Sequence, residues 1–365
     1  MADSAATLER RQLSVEDIEL IALGAGVLGS GGGGSTYLGR LLALSVLRRG
    51  RSITMVSPAA VAPGALVVVV AQVGAPVVLA EKLAKGTEAA QACAALEEHL
   101  DEPAAAVVCN EIGGINSMIP LLVAAHRDVP LIDADLMGRA FPGLHQDTLG
   151  IYGAAPLPIS LCDDEGNRAI FIATDTAATE RLGRALTMAM GGLSYLAKPM
   201  PRDADLDRVL IPGSYSRARA IGVALRRARQ EGDLRAIALD AVGGRLLFGG
   251  VIHAVERRSA QGPIQGTLSI AGGGDGCAGI LRIEFQNEYL LAWCGMELLA
   301  ATPDVISVVD DETGDPVSTE ALQVGLPVVV LHLSADARLT TPEALRRVGP
   351  AAFGYEAQYH PINRS

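Results

Sequence analysis

ALVVVVAQVG (residues 65–74) carries four consecutive valines and decides the fold. A strand this uniformly apolar suits a sheet covered on both faces, which is the environment of parallel sheets. Working outward, SITMVS (52–57), AAAVVCNEIGG (104–114) and VPLIDAD (129–135) read as further strands. YLGRLLALSVLRR (37–49), LAEKLAKGTEAAQACAALEEHL (79–100) and INSMIPLLVAAHR (115–127) read as helices. SVEDIELIALGAG (14–26) opens an earlier helix, with Ser14 as its N-cap and Asp17 three residues on. Strands alternating with helices predict an α/β fold, a mainly parallel sheet with flanking helices.

The texture changes further on. PISLCDDEGNRAIFIA (158–173) reads as a hairpin, followed by a helix from Thr176 to Met190 and a second, GSYSRARAIGVALRRARQEG (213–232). Beyond Leu234 the chain is mostly short strands and turns, and the glycine-rich AGGGDGCAG (271–279) reads as a loop. The organisation expected is an N-terminal α/β domain over 1–170 and a β-rich C-terminal domain over 171–365.

Composition narrows the function classes. The 365 residues are 49% hydrophobic with a formal net charge of -11. That balance argues against a general nucleic-acid binder, which needs a basic face. No uncharged apolar run reaches the ~18 residues of a membrane span. The first twenty residues lack a signal-peptide core. A cytoplasmic protein is expected, and the high apolar content points to a homo-oligomer. The five cysteines are scattered and show no C-x-x-C spacing. Neither a disulfide framework nor a structural zinc site is expected.

LGSGGGGSTYLG (28–39) packs five glycines into six positions. A Rossmann fingerprint needs a strand before the glycines, and a helix precedes them here; a Walker A loop needs a Lys that is missing. What remains is helix, glycine loop, helix. The N–H groups of Gly31, Gly32, Gly33 and Gly34, with Ser35 at the next helix start, can form an anion-binding nest. A tight helix–helix connection is the alternative.

CNEIGGINS (109–117) and DADLMGRAFP (133–142) fall at the C-terminal ends of predicted parallel strands, where open α/β sheets bind ligands. Asp133 and Asp135 are two apart and project to one side of an extended chain, and Glu111 ends the neighbouring strand. Such carboxylates bind a divalent metal or keep one member protonated. Arg139 can pair with them or with an anionic substrate. A helix cap plus surface charge is the competing reading. Cys109 is either a nucleophile or a buried small residue. His145 and His253 can reach a site between the domains, His332 reads as a core residue, and His99 and His126 fall at helix ends. No H-E-x-x-H, G-x-S-x-G or S-x-x-K motif occurs.

Taken together, DIELIALGAGVLGSGGGGSTYLG (17–39), NEIGGINS (110–117), DADLMGRAFP, IEFQNEYLLAW (283–293), PDVISVVDDETG (303–314) and VGPAAFGY (348–355) resemble the S-methyl thiohydantoin desulfurase family. The resemblance runs from about Ser14 to Tyr355 and implies an N-terminal α/β domain followed by a β-rich one. It also implies the family's reaction, part of bacterial ergothioneine breakdown. Water replaces the S-methyl group of a small propionate-bearing ring, and methanethiol leaves. Set against that chemistry, Asp133, Asp135 and Glu111 are the candidate base or ligands of one divalent metal, with Asp133 and Asp135 as its nearest ligands. Arg139, Ser35 and the Gly31–Gly34 nest are candidates for holding anionic groups, and Asn116 and Asn287 for donating hydrogen bonds to the ring. The partner expected is a small anionic ring substrate, with no nucleic acid and no membrane. A non-catalytic binding or accessory subunit of a hydantoinase-type enzyme is the alternative function.

Overall fold

The valine stretch forms strand β3 (Val67–Gly74). Val68 and Val70 pack into the core on one face, and Val67 and Val69 into a second core on the other. The computed structural model describes residues 10–361, apart from 75–77, 79–80, 83, 153–156, 203–204, 259–263 and 275–276. Parts of the segment read as helix over 79–100 thus lie outside the described residues, and its remainder forms a helix at Glu88–Leu100.

Four strands run parallel at the centre of the first sheet: β2 (Thr54–Val56), β5 (Leu131–Ile132), β4 (Ala106–Cys109) and β3. β1 (Arg10–Gln12) adds antiparallel at one edge. At the other edge β9 (Leu193–Pro199), β7 (Ile159–Cys162) and β8 (Arg168–Phe171) add antiparallel, giving the order β1-β2-β5-β4-β3-β9-β7-β8. The sheet is therefore mixed, and β9 brings the chain back into it well after residue 171, while β6 (Ala134–Asp135) and β10 (Ile211–Pro212) pair antiparallel as a separate ribbon.

Helices cover the faces. α1 (Val15–Leu28) starts in the capping box of Ser14 and Asp17. α2 (Thr36–Arg48) follows the glycine loop. α3 (Ser214–Glu231) packs closely across α1: a Cβ on Gly24 would lie 1.8 Å from the Ala218 carbonyl oxygen. No helix among the described residues is long and apolar enough to cross a membrane.

The second sheet is an antiparallel half-barrel of β11 (Gly244–Arg258), β12 (Gln265–Gly274), β13 (Cys277–Gln286), β14 (Glu288–Cys294), β15 (Glu297–Ala301), β16 (Val305–Asp310) and β17 (Pro327–Leu333). Its order is β15-β14-β13-β12-β11-β17-β16. Two expectations need correction here. The glycines read as a loop mostly belong to β12 and β13, paired from Gly272↔Gly279 to Gly274↔Cys277, with the 275–276 tip outside the described residues. At Gly272 and Gly274 neighbouring strands press close: a Cβ would lie 2.1 Å from the Gly249 carbonyl oxygen and 2.7 Å from the Phe248 Cα. The second correction is a disulfide, Cys277–Cys294, between β13 and β14. Strand pairing, which spacing does not reveal, brings the two together, while Cys93, Cys109 and Cys162 are free and buried.

Candidate functional site

A cleft of about 730 Å³ lies between the C-terminal ends of β3 and β4 and the near edge of the second sheet. Its walls are the glycine loop with Ser35, Ala71–Gly74, Asn110 and Glu111, Pro142–Leu144, Asn287–Glu288 and Ser318–Glu320, with Arg184 from the Thr176–Ala189 helix at the rim.

The glycine loop is shaped by what it touches. Ser30, Gly31, Gly33 and Gly34 all have positive φ, from +51° to +85°. A Cβ on Gly31 would sit 2.4 Å from the Tyr289 ring, and one on Gly32 2.3 Å from Glu288 Oε1. Only glycine accepts both conditions at Gly31. The carbonyls of Ser30, Gly31 and Gly33 accept from the N–H groups of Tyr289 (2.6 Å), Thr319 (2.9 Å) and Ile115 (2.9 Å). The Ser30 hydroxyl donates to the Ile306 carbonyl at 2.6 Å. Among the described residues, no hydrogen bond takes up the N–H groups of Gly33, Gly34 or Ser35, which lead into the start of α2. Those groups are free for an anion or a developing negative charge.

Two carboxyls are buried in the cleft. Glu111 leaves the end of β4, and Glu288 starts β14 just after Asn287, which turns the chain at φ +59°. Burial pushes Glu288 up to about 7, with Arg139 opposing. Glu288 Oε2 has no hydrogen-bond partner among the described residues. Burial also drives Glu111 well above the usual carboxyl range, and the Glu288 charge adds to it. The Asn116 amide and the Phe141 N–H work the other way on Glu111. A buried carboxyl pair in which one member's charge raises the other divides into an acid and a base.

Several sequence-predicted residues serve the frame instead. Asp133 takes the Tyr215 N–H at 2.8 Å, the Ser216 N–H at 3.1 Å and the Ser216 hydroxyl. It caps α3, whose own N-cap, Gly213, has no side chain. Asp135 takes the N–H groups of Ile112, Met137 and Gly138 and the Ser214 hydroxyl. The two carboxylates do turn to one side, but what meets them is a helix start. Neither lines the cleft. The divalent metal does not fit them, since donors already occupy their oxygens. Among the described residues, no group of three or more His, Cys, Asp or Glu could hold a metal ion.

Arg139 is corrected as well. It is fully buried, does not line the cleft, and donates to the carbonyls of Asp304 (2.5 Å), Tyr289 (3.0 Å) and Ala140 (3.1 Å). Burial pushes it down to about 10, against the charges of Glu288, Asp304 and Glu111. It is a fixed cation behind the two carboxyls rather than a hand for substrate. Asn116 lines the cleft with its amide bonded to the Gln72 backbone, accepting at 2.6 Å and donating at 3.3 Å. Asn287 lines it too, its Oδ1 accepting from Ile264 N–H. Cys109 is sealed, donates to the Glu111 carbonyl at 2.9 Å, and burial raises its thiol far above the reactive range. His145 lies 3.8 Å from Glu180 beside the cleft wall, and His253 is exposed on β11. His332 is a satisfied core residue bonded to Asp304 at 2.8 Å.

The sequence reading missed Glu288, Asn110, Gln72 and Arg184. Glu288 had a signal: an acid heading the apolar run EYLLAW, where burial is costly without a purpose. Arg184 had none, since it reaches the cleft from a helix with no local mark. Its guanidinium bonds Glu180 and the Pro142 carbonyl.

Family models described as the S-Me-THD-like N-terminal domain and the S-Me-THD-like C-terminal domain match residues 16–173 and 173–362. A crystal structure of a protein from Chromobacterium violaceum is similar along nearly the whole chain. Its TM-score is 0.77 at 26% identity, covering 97% of this chain and 100% of that one. No curated protein matches the chain.

Proposed function

The chain belongs to the S-Me-THD-like family, and from that premise we propose that it hydrolyses a small thiohydantoin- or hydantoin-like ring, exchanging an S-methyl group for water. The observation that carries this is the buried Glu111–Glu288 pair in the cleft beside the glycine loop. Glu288, with its carboxyl raised to about 7, is suited to a base, and Glu111, raised by burial and by the Glu288 charge, to an acid.

Glu288 takes a proton as water attacks the carbon bearing sulfur, forming a C–O bond and sending an electron pair onto ring nitrogen. Glu111 protonates the ring nitrogen. The C–S bond then breaks, the sulfur takes the proton held by Glu288 and leaves as methanethiol, and the C=O forms as the hydroxyl proton passes to Glu111. Negative charge developing at the ring meets the free N–H groups of Gly33 and Gly34. Arg139 opposes the upward push on Glu288 and keeps it ionisable near pH 7. No step passes through a metal.

The test is release of methanethiol from an S-methyl thiohydantoin, followed with a thiol reagent, for the full chain and for Glu288→Gln. Turnover should fall on the order of 10²–10⁴-fold in the variant. A chain that binds hydantoins and releases no thiol would instead be a binding or accessory subunit.

A further inference from the structure

We infer that Asn110 reads the ring. Its carboxamide pairs edge to edge with an O=C–N–H edge of the ligand, and so selects rings whose amide nitrogen carries no substituent. This rests on the ring-hydrolase reading and adds to it a specificity-determining residue.

Asn110 directly follows β4 and lines the cleft next to Glu111, with only 3% of its surface exposed. Its backbone is fixed on both sides. The N–H donates to the Val70 carbonyl at 3.2 Å, and the carbonyl accepts from Leu136 N–H at 3.3 Å. The side chain has no such ties. Among the described residues, Oδ1 is sealed from solvent without a partner and Nδ2 meets only the Met137 thioether, at 3.9 Å.

A buried amide without polar partners is costly, and such groups cluster where a ligand completes them. Met137 also lines the cleft, and a thioether on a flexible chain is easily displaced by a ligand edge. A carboxamide offers one donor and one acceptor in a plane. The shape that uses both at once is the edge of a cyclic amide, the geometry by which Asn reads adenine. Gln72 Oε1 and Glu288 Oε2, also buried and unpartnered among the cleft residues, provide acceptors for further N–H groups of the ring. A carboxylate ligand brought to this end would face Glu111 and Glu288, so a substrate's acidic tail points toward Arg184 at the rim.

The full-length protein is titrated calorimetrically with hydantoin and its two mono-N-methyl derivatives, alongside Asn110→Leu, which keeps the shape without polar atoms. The wild type should bind hydantoin at least about tenfold more tightly than one of the methyl derivatives. Asn110→Leu should bind all three within about threefold, with its circular dichroism unchanged. Equal wild-type affinity for all three overturns the inference whether or not the variant folds. So does full methyl discrimination in a folded Asn110→Leu, or a wild type that binds none of them. Thiol release is measured separately. Its absence beside Asn110-dependent binding would sink the hydrolase reading and leave the role of Asn110 standing.

Discussion

Glu288→Gln should make the protein more stable at alkaline pH while removing its activity. In the folded chain the carboxyl is raised from its usual 4.5 to about 7, with burial the main cause. A rise of that size corresponds to about 3 kcal/mol between the two protonation states. The sign follows from where the proton sits. The folded state binds it more tightly than the unfolded one, so stability is full below about pH 4 and is lost as pH rises through about 7. Glutamine never ionises and is spared that loss. Relief of Glu111, which the Glu288 charge pushes up, acts in the same direction. Urea unfolding of both proteins between about pH 4 and pH 8 measures the difference. The variant's advantage should grow by up to about 3 kcal/mol across that range, while thiol release collapses. A stability difference flat with pH would refute the claim that burial holds this carboxyl neutral.

Gly32→Ala should drive the Glu288 side chain out of place, because the new Cβ lies 2.3 Å from Oε1; turnover should drop at least about tenfold with the chain still folded, and wild-type turnover would contradict the geometry. Asp133→Asn weakens the cap on α3, costing about 1 kcal/mol in a urea melt with turnover within about threefold. A hundredfold loss of turnover in a folded Asp133→Asn protein would return that residue to the chemistry. Cys109→Ala should keep near-normal turnover, and the native Cys109 thiol should resist alkylation until the chain unfolds; modification of the folded protein at Cys109 would show the site open. The pH–rate profile should climb through about 7 as Glu288 ionises, whereas a rate flat between about pH 5 and pH 9 would exclude its role as base.

The parallel centre of the first sheet was legible because its signal is local: four valines with both faces buried, between helices with visible caps. The return of β9 was not, because a strand joining from far along the chain looks in sequence like any other. The same limit explains the aspartates. A spacing of two residues puts Asp133 and Asp135 on one side, but nothing near them says that α3, some eighty residues later, will bring its first N–H groups there. Arg139 reads in sequence as a partner for the aspartates or for an anionic substrate, because sequence cannot show that three carbonyls already enclose it. The glycine run stood out because positive φ and close contact leave few other residues possible. Its partners Glu288 and Tyr289 come from the second sheet, and so the full site was hidden.

The glycine loop also determines how a molecule gets in. Its carbonyls are bonded to Tyr289 and Thr319 on one wall of the cleft and to Ile115 on the other, with the Ser30 hydroxyl anchored on Ile306. Swinging the walls apart would break short buried bonds at the very point where a pivot would have to lie. The hydrogen bonds thus tie the two walls together at the glycine loop and fix the width of the opening there. On the proposed ring hydrolysis, bulky relatives of the ring should compete poorly even when every polar group matches.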